Sequence, residues 1–165
     1  MIVEVTEAER KLAQFPHNLF VSGVFLFDLL LTPAAIVMNI GLYGLLVPLG
    51  CSLLLVAGIW WRSRKTTRWF VDAHWKLSLR HCTWLLIGYA VSGALMLLAW
   101  LLTLASHDPH MQHIILTALT RIAVLPTLVA VMVTVVVEAG ALAQAGRSEI
   151  PDRIVRDFPP PASLA

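Results

Sequence analysis

The fold is decided by residues 83–105, an uninterrupted apolar stretch that reads TWLLIGYAVSGALMLLAWLLTLA and contains no charged side chain. About 20 consecutive apolar residues are enough for a helix to cross the hydrocarbon core of a bilayer. Three further apolar stretches of similar length lie outward from it, at about residues 19–38, 42–61 and 114–138. The sequence therefore predicts an all-α fold, a four-helix transmembrane bundle in which consecutive spans are antiparallel.

The composition agrees with a membrane protein. Of the 165 residues, 58% are hydrophobic and 13% are charged, whereas about a quarter of the residues of an average soluble domain are charged. Residues 1–146 contain all four apolar stretches and are predicted to form a single membrane domain. Residues 147–165 are predicted to form a polar cytoplasmic tail.

The distribution of Lys and Arg predicts the orientation, because cytoplasmic loops of membrane proteins carry an excess of these residues. Neither the turn near Asn39 nor the loop near His107 contains a basic residue. Every basic residue outside the spans lies before the first span, between the second and third, or after the fourth: Arg10, Lys11, Arg62, Arg64, Lys65, Arg68, Lys76, Arg80, Arg147, Arg153 and Arg156. This pattern predicts that both termini are cytoplasmic. The short loops favour a multi-pass protein of the bacterial cell inner membrane.

The segment between the second and third spans, residues 66–80, has apolar side chains at helical spacing. It predicts a short amphipathic helix that lies in the membrane interface and contacts anionic lipid. The residues assigned to this lipid-facing helix are Arg68, Trp69, Phe70, Lys76 and Arg80. A docking surface for a soluble partner is the alternative. No nucleic-acid partner is expected, because the basic run is short and adjacent to the membrane.

Two charged residues lie inside the predicted spans, Asp28 in the first and Arg121 in the fourth. A rise of about 1.5 Å per residue places both near mid-membrane at a similar height. An isolated charge there costs about 2.5 kcal/mol or more, so an intramembrane Asp28–Arg121 ion pair is predicted. The pair either fixes the packing of the helices, forms part of a relay for protons or anions, or holds the propionates of a cofactor. The alternative to a pair is that Arg121 extends outward to the interface and Asp28 is protonated or contacts a partner subunit.

Histidines at the cytoplasmic ends of two spans, His17 and His81, are candidates for a bis-histidine haem site. The alternative is that they form hydrogen bonds to lipid headgroups or backbone groups. His74 is assigned to the same environment as the amphipathic segment. Glu138, near the end of the fourth span, is predicted to be a solvated boundary residue.

The predicted outer loop contains three further histidines, His107, His110 and His113. Imidazole is a common ligand of copper and zinc, so the loop is a candidate metal site. The alternative is a polar turn without a metal. Haem and copper are thus the cofactors that the sequence suggests.

No Gly-rich phosphate loop, paired carboxylates or nucleophilic constellation occurs in the sequence, which argues against an enzyme. The sequence favours a non-catalytic accessory, anchoring or assembly subunit of a membrane complex. Its expected partners are the lipid bilayer and either other membrane subunits or further copies of itself. Two alternatives are a redox membrane anchor that binds haem or quinone, and a small oligomeric transporter.

Overall fold

The computed structural model describes residues 1–38, 42–105 and 107–161. Within these ranges the chain is 85% helical and has no β-strand. Its elements are α1 (Glu7–Val24), a π-helical segment (Phe25–Leu31), α2 (Thr32–Val37), α3 (Leu42–Ser63), α4 (Trp69–Ala105), α5 (Pro109–Gly146) and α6 (Asp152–Asp157).

Four helical stretches in the described ranges are long and apolar enough to cross a membrane: Glu7–Ala35, Leu46–Ser63, Trp69–Ala105 and Pro109–Gly146. The predicted all-α fold with four membrane-spanning helices is confirmed. The chain divides into two compact units. The first unit comprises Met1–Cys82 with Val135–Ala165, and the second comprises Thr83–Thr134.

The first span begins with a defined cap and changes helix type near its middle. The Thr6 hydroxyl accepts a hydrogen bond from the Glu9 backbone, and the Glu9 carboxylate accepts one from the Thr6 backbone, which forms a capping box. Further along, Pro33 has no N–H for the α-helical ladder. The helix widens into the π-helical segment just before this proline, and the Thr32 hydroxyl donates to the Phe27 carbonyl at 3.0 Å.

The core of the first unit forms where the two ends of the chain meet the start of α4. Residues 147–161, assigned from the sequence to a polar tail, contribute Ile150 and Ile154 to this core. An isolated β-bridge joins Ile2 to Glu149. The remaining buried members of the core are Val3, Ala13, Phe70, Ala73, Leu77, Ala141 and Ala145. Ile150 lies in the segment before α6, and Ile154 lies on α6 itself.

The short interfacial helix between the second and third spans is not confirmed. Residues 69–80 form the first turns of α4, which continues to Ala105 because no proline interrupts it. Phe70 is buried, and the indole of Trp69 donates to the Phe158 carbonyl at 3.1 Å. Other side chains of the segment also contact the chain itself: Arg68 pairs with Glu9, Lys76 lies over the Phe158 ring, and Arg80 pairs with Asp157. Contact of this segment with lipid stays a prediction.

In the second unit, small residues bring α4 and α5 into close contact. A Cβ atom added at Gly88 would collide with the Cβ of Ala130. The Thr127 hydroxyl donates to the Ser92 hydroxyl at 2.8 Å nearby. Small residues with hydroxyl hydrogen bonds are typical of helix pairs packed within membranes.

Candidate functional site: a buried histidine–glutamate cluster

Four polar side chains meet inside the first unit, and they are called the His–Glu cluster below. They are His17 on α1, His74 and His81 on α4, and Glu138 on α5. His74 and His81 lie on the same face of α4 because seven residues make about two helical turns. Three helices that are distant in sequence therefore each contribute to one site.

The contacts run in a single order through the cluster. Nδ1 of His81 lies 3.1 Å from Oε1 of Glu138. The other carboxylate oxygen, Oε2, contacts Nδ1 of His17. Nε2 of His17 then lies 2.9 Å from Nδ1 of His74. The result is an unbroken hydrogen-bonded series from His81 through Glu138 and His17 to His74.

The cluster is almost completely removed from solvent. The exposed fractions of His17, His74 and Glu138 are 0%, 1% and 0%, and that of His81 is 8%. The ring of Phe70 packs against the His74 ring with 4.9 Å between their centroids. A carboxylate in such a place is costly unless hydrogen bonds replace its hydration. Two imidazole N–H groups provide that replacement here.

The hydrogen-bond pattern assigns the tautomers of the rings. An ionised Glu138 only accepts hydrogen bonds, so Nδ1 of His81 and Nδ1 of His17 both carry protons. A neutral His17 then has an unprotonated Nε2, which accepts from the Nδ1–H of His74. With His74 neutral as well, its Nε2 is left as an acceptor. This tautomer assignment holds for an ionised carboxylate with three neutral rings.

The far end of the series is unpaired. Among the described residues, Nε2 of His74 and the nearby Ser78 hydroxyl are buried without a hydrogen-bond partner. The backbone of Glu149 lies close to the His74 ring. A buried acceptor without a donor is rare in folded proteins. Nε2 of His74 therefore ends the series with an unpaired position.

The arrangement differs from that of a metal centre. In the described ranges of the chain, no group of three His, Cys, Asp or Glu side chains has a geometry that could hold a metal ion. Within the cluster the donor atoms face each other in pairs, and His17 uses its two nitrogens in opposite directions. The structure brings the predicted haem ligands His17 and His81 together, but both contact Glu138. Haem binding by these residues stays a prediction.

The other predicted site residues lie elsewhere. His107 is exposed just before α5, and His110 and His113 are exposed in its first turns, in the second unit. The His110 backbone donates to the Asp108 side chain at 2.9 Å. Metal binding by these three residues stays a prediction.

The two predicted partners of the intramembrane ion pair belong to different units. Asp28 lies in the π-helical segment of the first unit and accepts a hydrogen bond from the Ser52 hydroxyl at 3.0 Å. Arg121 is exposed on α5 in the second unit. The Asp28–Arg121 ion pair stays a prediction.

The sequence missed the centre of the site. Glu138 was predicted to be solvated, and this is wrong because its side chain is fully buried between two histidines. Two signals pointed to it: the two-turn spacing of His74 and His81, and a single acidic residue that follows the apolar stretch 122–137. Neither signal is specific, since helix ends at a membrane interface commonly carry both residue types.

Comparison with protein-family models, with curated proteins and with solved structures finds no match.

Proposed function

We propose that this chain is a proton-transferring accessory subunit of a membrane complex, in which the His–Glu cluster takes up and releases one proton. The observation that carries the proposal is the unbroken hydrogen-bonded series that ends at the unpaired Nε2 of His74. Ionisable residues of membrane helices that face the protein interior are rare, and proton relays are one of their functions. A carboxylate linked to imidazoles supplies the groups that such a relay needs.

Proton uptake proceeds from the unpaired end of the series. Nε2 of His74 accepts a proton, and the proton on its Nδ1 passes to Nε2 of His17. The proton on Nδ1 of His17 then passes to Oε2 of Glu138. One proton has entered, both rings are neutral in the opposite tautomer, and Glu138 is a neutral carboxylic acid. Each transfer follows a hydrogen bond that is already present, so no side chain has to move.

The second arm of the cluster leads to the same carboxylate. His81 donates from Nδ1 to Oε1 of Glu138, so a proton that arrives at its Nε2 also ends on Glu138. A proton that enters through His74 can leave Glu138 through His81 only after Nδ1 of His81 has lost its proton and become an acceptor. The same condition holds for His17 when the proton enters through His81. The cluster therefore works as a proton store rather than as an open channel. Phe20 and Val24, both fully buried, lie between His17 and Asp28 along the first span and keep this stretch apolar.

A proton store suits a subunit that serves a partner. The sequence has no catalytic constellation, and many large apolar side chains of the described residues are exposed, as expected for contact with lipid or other membrane subunits. The redox-anchor alternative draws on the same cluster, since reduction of a quinone consumes protons. We place the chain in the cell inner membrane with cytoplasmic termini, on the distribution of Lys and Arg.

Infrared spectroscopy of the purified chain tests the proposal. As the pH falls, the proposal expects a carboxylic-acid carbonyl band that is present in the wild type and absent from Glu138→Gln. Glu7→Gln, which changes an exposed glutamate paired with Lys11, is the matched control and keeps the band. After a rapid pH jump, His74→Phe slows the growth of the band, whereas His110→Phe, which changes an exposed ring, does not.

A purely structural role of the cluster gives different results. In that case Glu138 stays ionised over the whole pH range in which the protein remains folded, and the wild type and Glu138→Gln have the same carboxylic-acid spectrum. That result overturns the proposal. An unchanged rate in His74→Phe rejects His74 as the point of entry and leaves His81 as the route to Glu138.

A further inference from the structure

A cleft of about 570 Å³ lies in the first unit between α1, the loop after α3, and the start of α4. One side of the cleft is apolar. Leu12 and Phe15 on α1 line it, as do Val71 and Trp75 on α4, and the rings of Phe15 and Trp75 lie 6.1 Å apart. Leu12 and Phe15 are each more than half exposed. An exposed apolar wall of this kind suits a hydrocarbon chain.

The other side of the cleft is polar and cationic. Arg62, Thr67 and Arg68 line it. The Arg62 guanidinium lies over the ring of Trp75, 5.2 Å from its centroid, and donates to the Thr67 hydroxyl at 3.2 Å. The two guanidinium groups and the Thr67 hydroxyl thus lie at the edge of the apolar side of the cleft. Guanidinium groups bind phosphate oxygens in a planar, two-point geometry.

The loop has more positive than negative charge. It carries four basic residues in seven, namely Arg62, Arg64, Lys65 and Arg68. Within the described residues, the carboxylates at ion-pair distance from these four are Asp72, 3.5 Å from Arg62, and Glu9, 3.1 Å from Arg68. The other two, Arg64 and Lys65, are exposed in the same loop and add positive charge next to the cleft.

The position of the cleft along the spans fits a lipid headgroup. Trp60 and Trp61 occupy the last turns of α3, immediately before Arg62, and both are exposed. Tryptophan is enriched at the depth of the headgroups. The Arg64 guanidinium lies over the Trp60 ring, 3.6 Å from its centroid, which holds positive charge at the same level.

We infer that this cleft is a specific site for an anionic phospholipid. The phosphate lies against Arg62, Thr67 and Arg68, and the first methylenes of an acyl chain lie along Leu12 and Phe15. The site is separate from the His–Glu cluster and does not depend on its function. It also differs from general contact of a basic segment with the membrane, because a cleft selects one bound molecule by its headgroup.

Native mass spectrometry of the full chain in mild detergent tests the inference. Phosphatidylglycerol and phosphatidylcholine with identical acyl chains are added separately, and the fraction of protein that retains one lipid is measured. Phosphatidylglycerol is expected to be retained preferentially, and Arg68→Gln to weaken its binding about fivefold. Arg147→Gln is the matched control, since Arg147 is similarly exposed and also pairs with a glutamate at 3.1 Å. The control leaves retention unchanged.

Three results overturn the inference. Equal retention of the two lipids means that the headgroup is not recognised. An equal loss in Arg68→Gln and Arg147→Gln means that net charge alone attracts the lipid. Displacement of phosphatidylglycerol by inorganic phosphate at the same concentration means that the site binds a free anion and makes no use of the apolar wall.

Discussion

Nδ1 of His81 lies 3.1 Å from Oε1 of Glu138, a residue 57 positions away, and the other oxygen of the same carboxylate is held by His17. One buried carboxylate therefore connects the first, third and fourth spans within the first unit. Because it accepts a hydrogen bond on each oxygen, its removal leaves two ring N–H groups buried without an acceptor. The stability of the unit should depend on this side chain more than on any exposed charge.

Replacement of Glu138 should destabilise the protein in a graded order. Glu138→Leu leaves both ring N–H groups unpaired, and at about 1–3 kcal/mol for each unsatisfied group we expect a loss of at least about 2 kcal/mol. Glu138→Gln should lose less, since His81 can exchange its tautomer and accept from the amide. Unfolding in detergent micelles measures both losses. Glu7→Leu, at an exposed ion pair, should lose only about 0.5 kcal/mol. Equal losses in all three variants would show that Glu138 is not the centre of the cluster.

A methyl group should have opposite consequences at two glycines of α4. Gly88→Ala places a Cβ against Ala130 and the Pro126 carbonyl, so the helices must separate, at a cost of about 1–3 kcal/mol. The Cβ added in Gly93→Ala has no atom within 4 Å. This variant should leave the stability unchanged or raise it slightly, because alanine favours a helix over glycine by about 1 kcal/mol. Thermal unfolding compares the two. A neutral Gly88→Ala would contradict the close packing of α4 and α5 in the second unit.

The predicted orientation can be measured with single cysteines in a variant from which Cys51 and Cys82 have been removed. Glu4→Cys and His107→Cys change exposed positions near the N-terminus and at the loop before α5. A membrane-impermeant maleimide should label His107→Cys in intact cells and Glu4→Cys only after lysis. Labelling of Glu4→Cys alone in intact cells would show that the orientation is reversed. Labelling of both variants in intact cells would show that the number of spans between them is even.

The predicted Asp28–Arg121 ion pair can be tested by exchange of the charges. Asp28→Arg and Arg121→Asp each place two like charges inside the membrane, where even one unpaired charge costs about 2.5 kcal/mol or more. Each single variant should therefore accumulate poorly in membranes, and the double exchange should restore accumulation. Failure of the double variant to recover would reject the pair.

The positions of the four spans could be predicted from the sequence, but the His–Glu cluster could not. Residues 83–105 predict a membrane helix on their own, because the length of an apolar stretch is a local property. The His–Glu cluster depends on the packing of three helices, and His17, His74 and Glu138 each resemble an ordinary residue of a membrane interface.

The packing of residues 147–161 was not predictable from the sequence, for a related reason. Ile150 and Ile154 are two of the few apolar residues in a charged segment. Their burial depends on a surface formed by α4 and the first residues of the chain.

The most direct test of the cluster is a dipolar recoupling measurement by solid-state NMR, on protein with ¹⁵N-labelled histidine rings and ¹³C-labelled glutamate carboxyl groups. We predict strong dephasing from ring nitrogens in contact with one carboxylate carbon, and its complete loss in Glu138→Gln. Wild-type protein without dephasing, or dephasing that persists in Glu138→Gln, would contradict a cluster centred on Glu138.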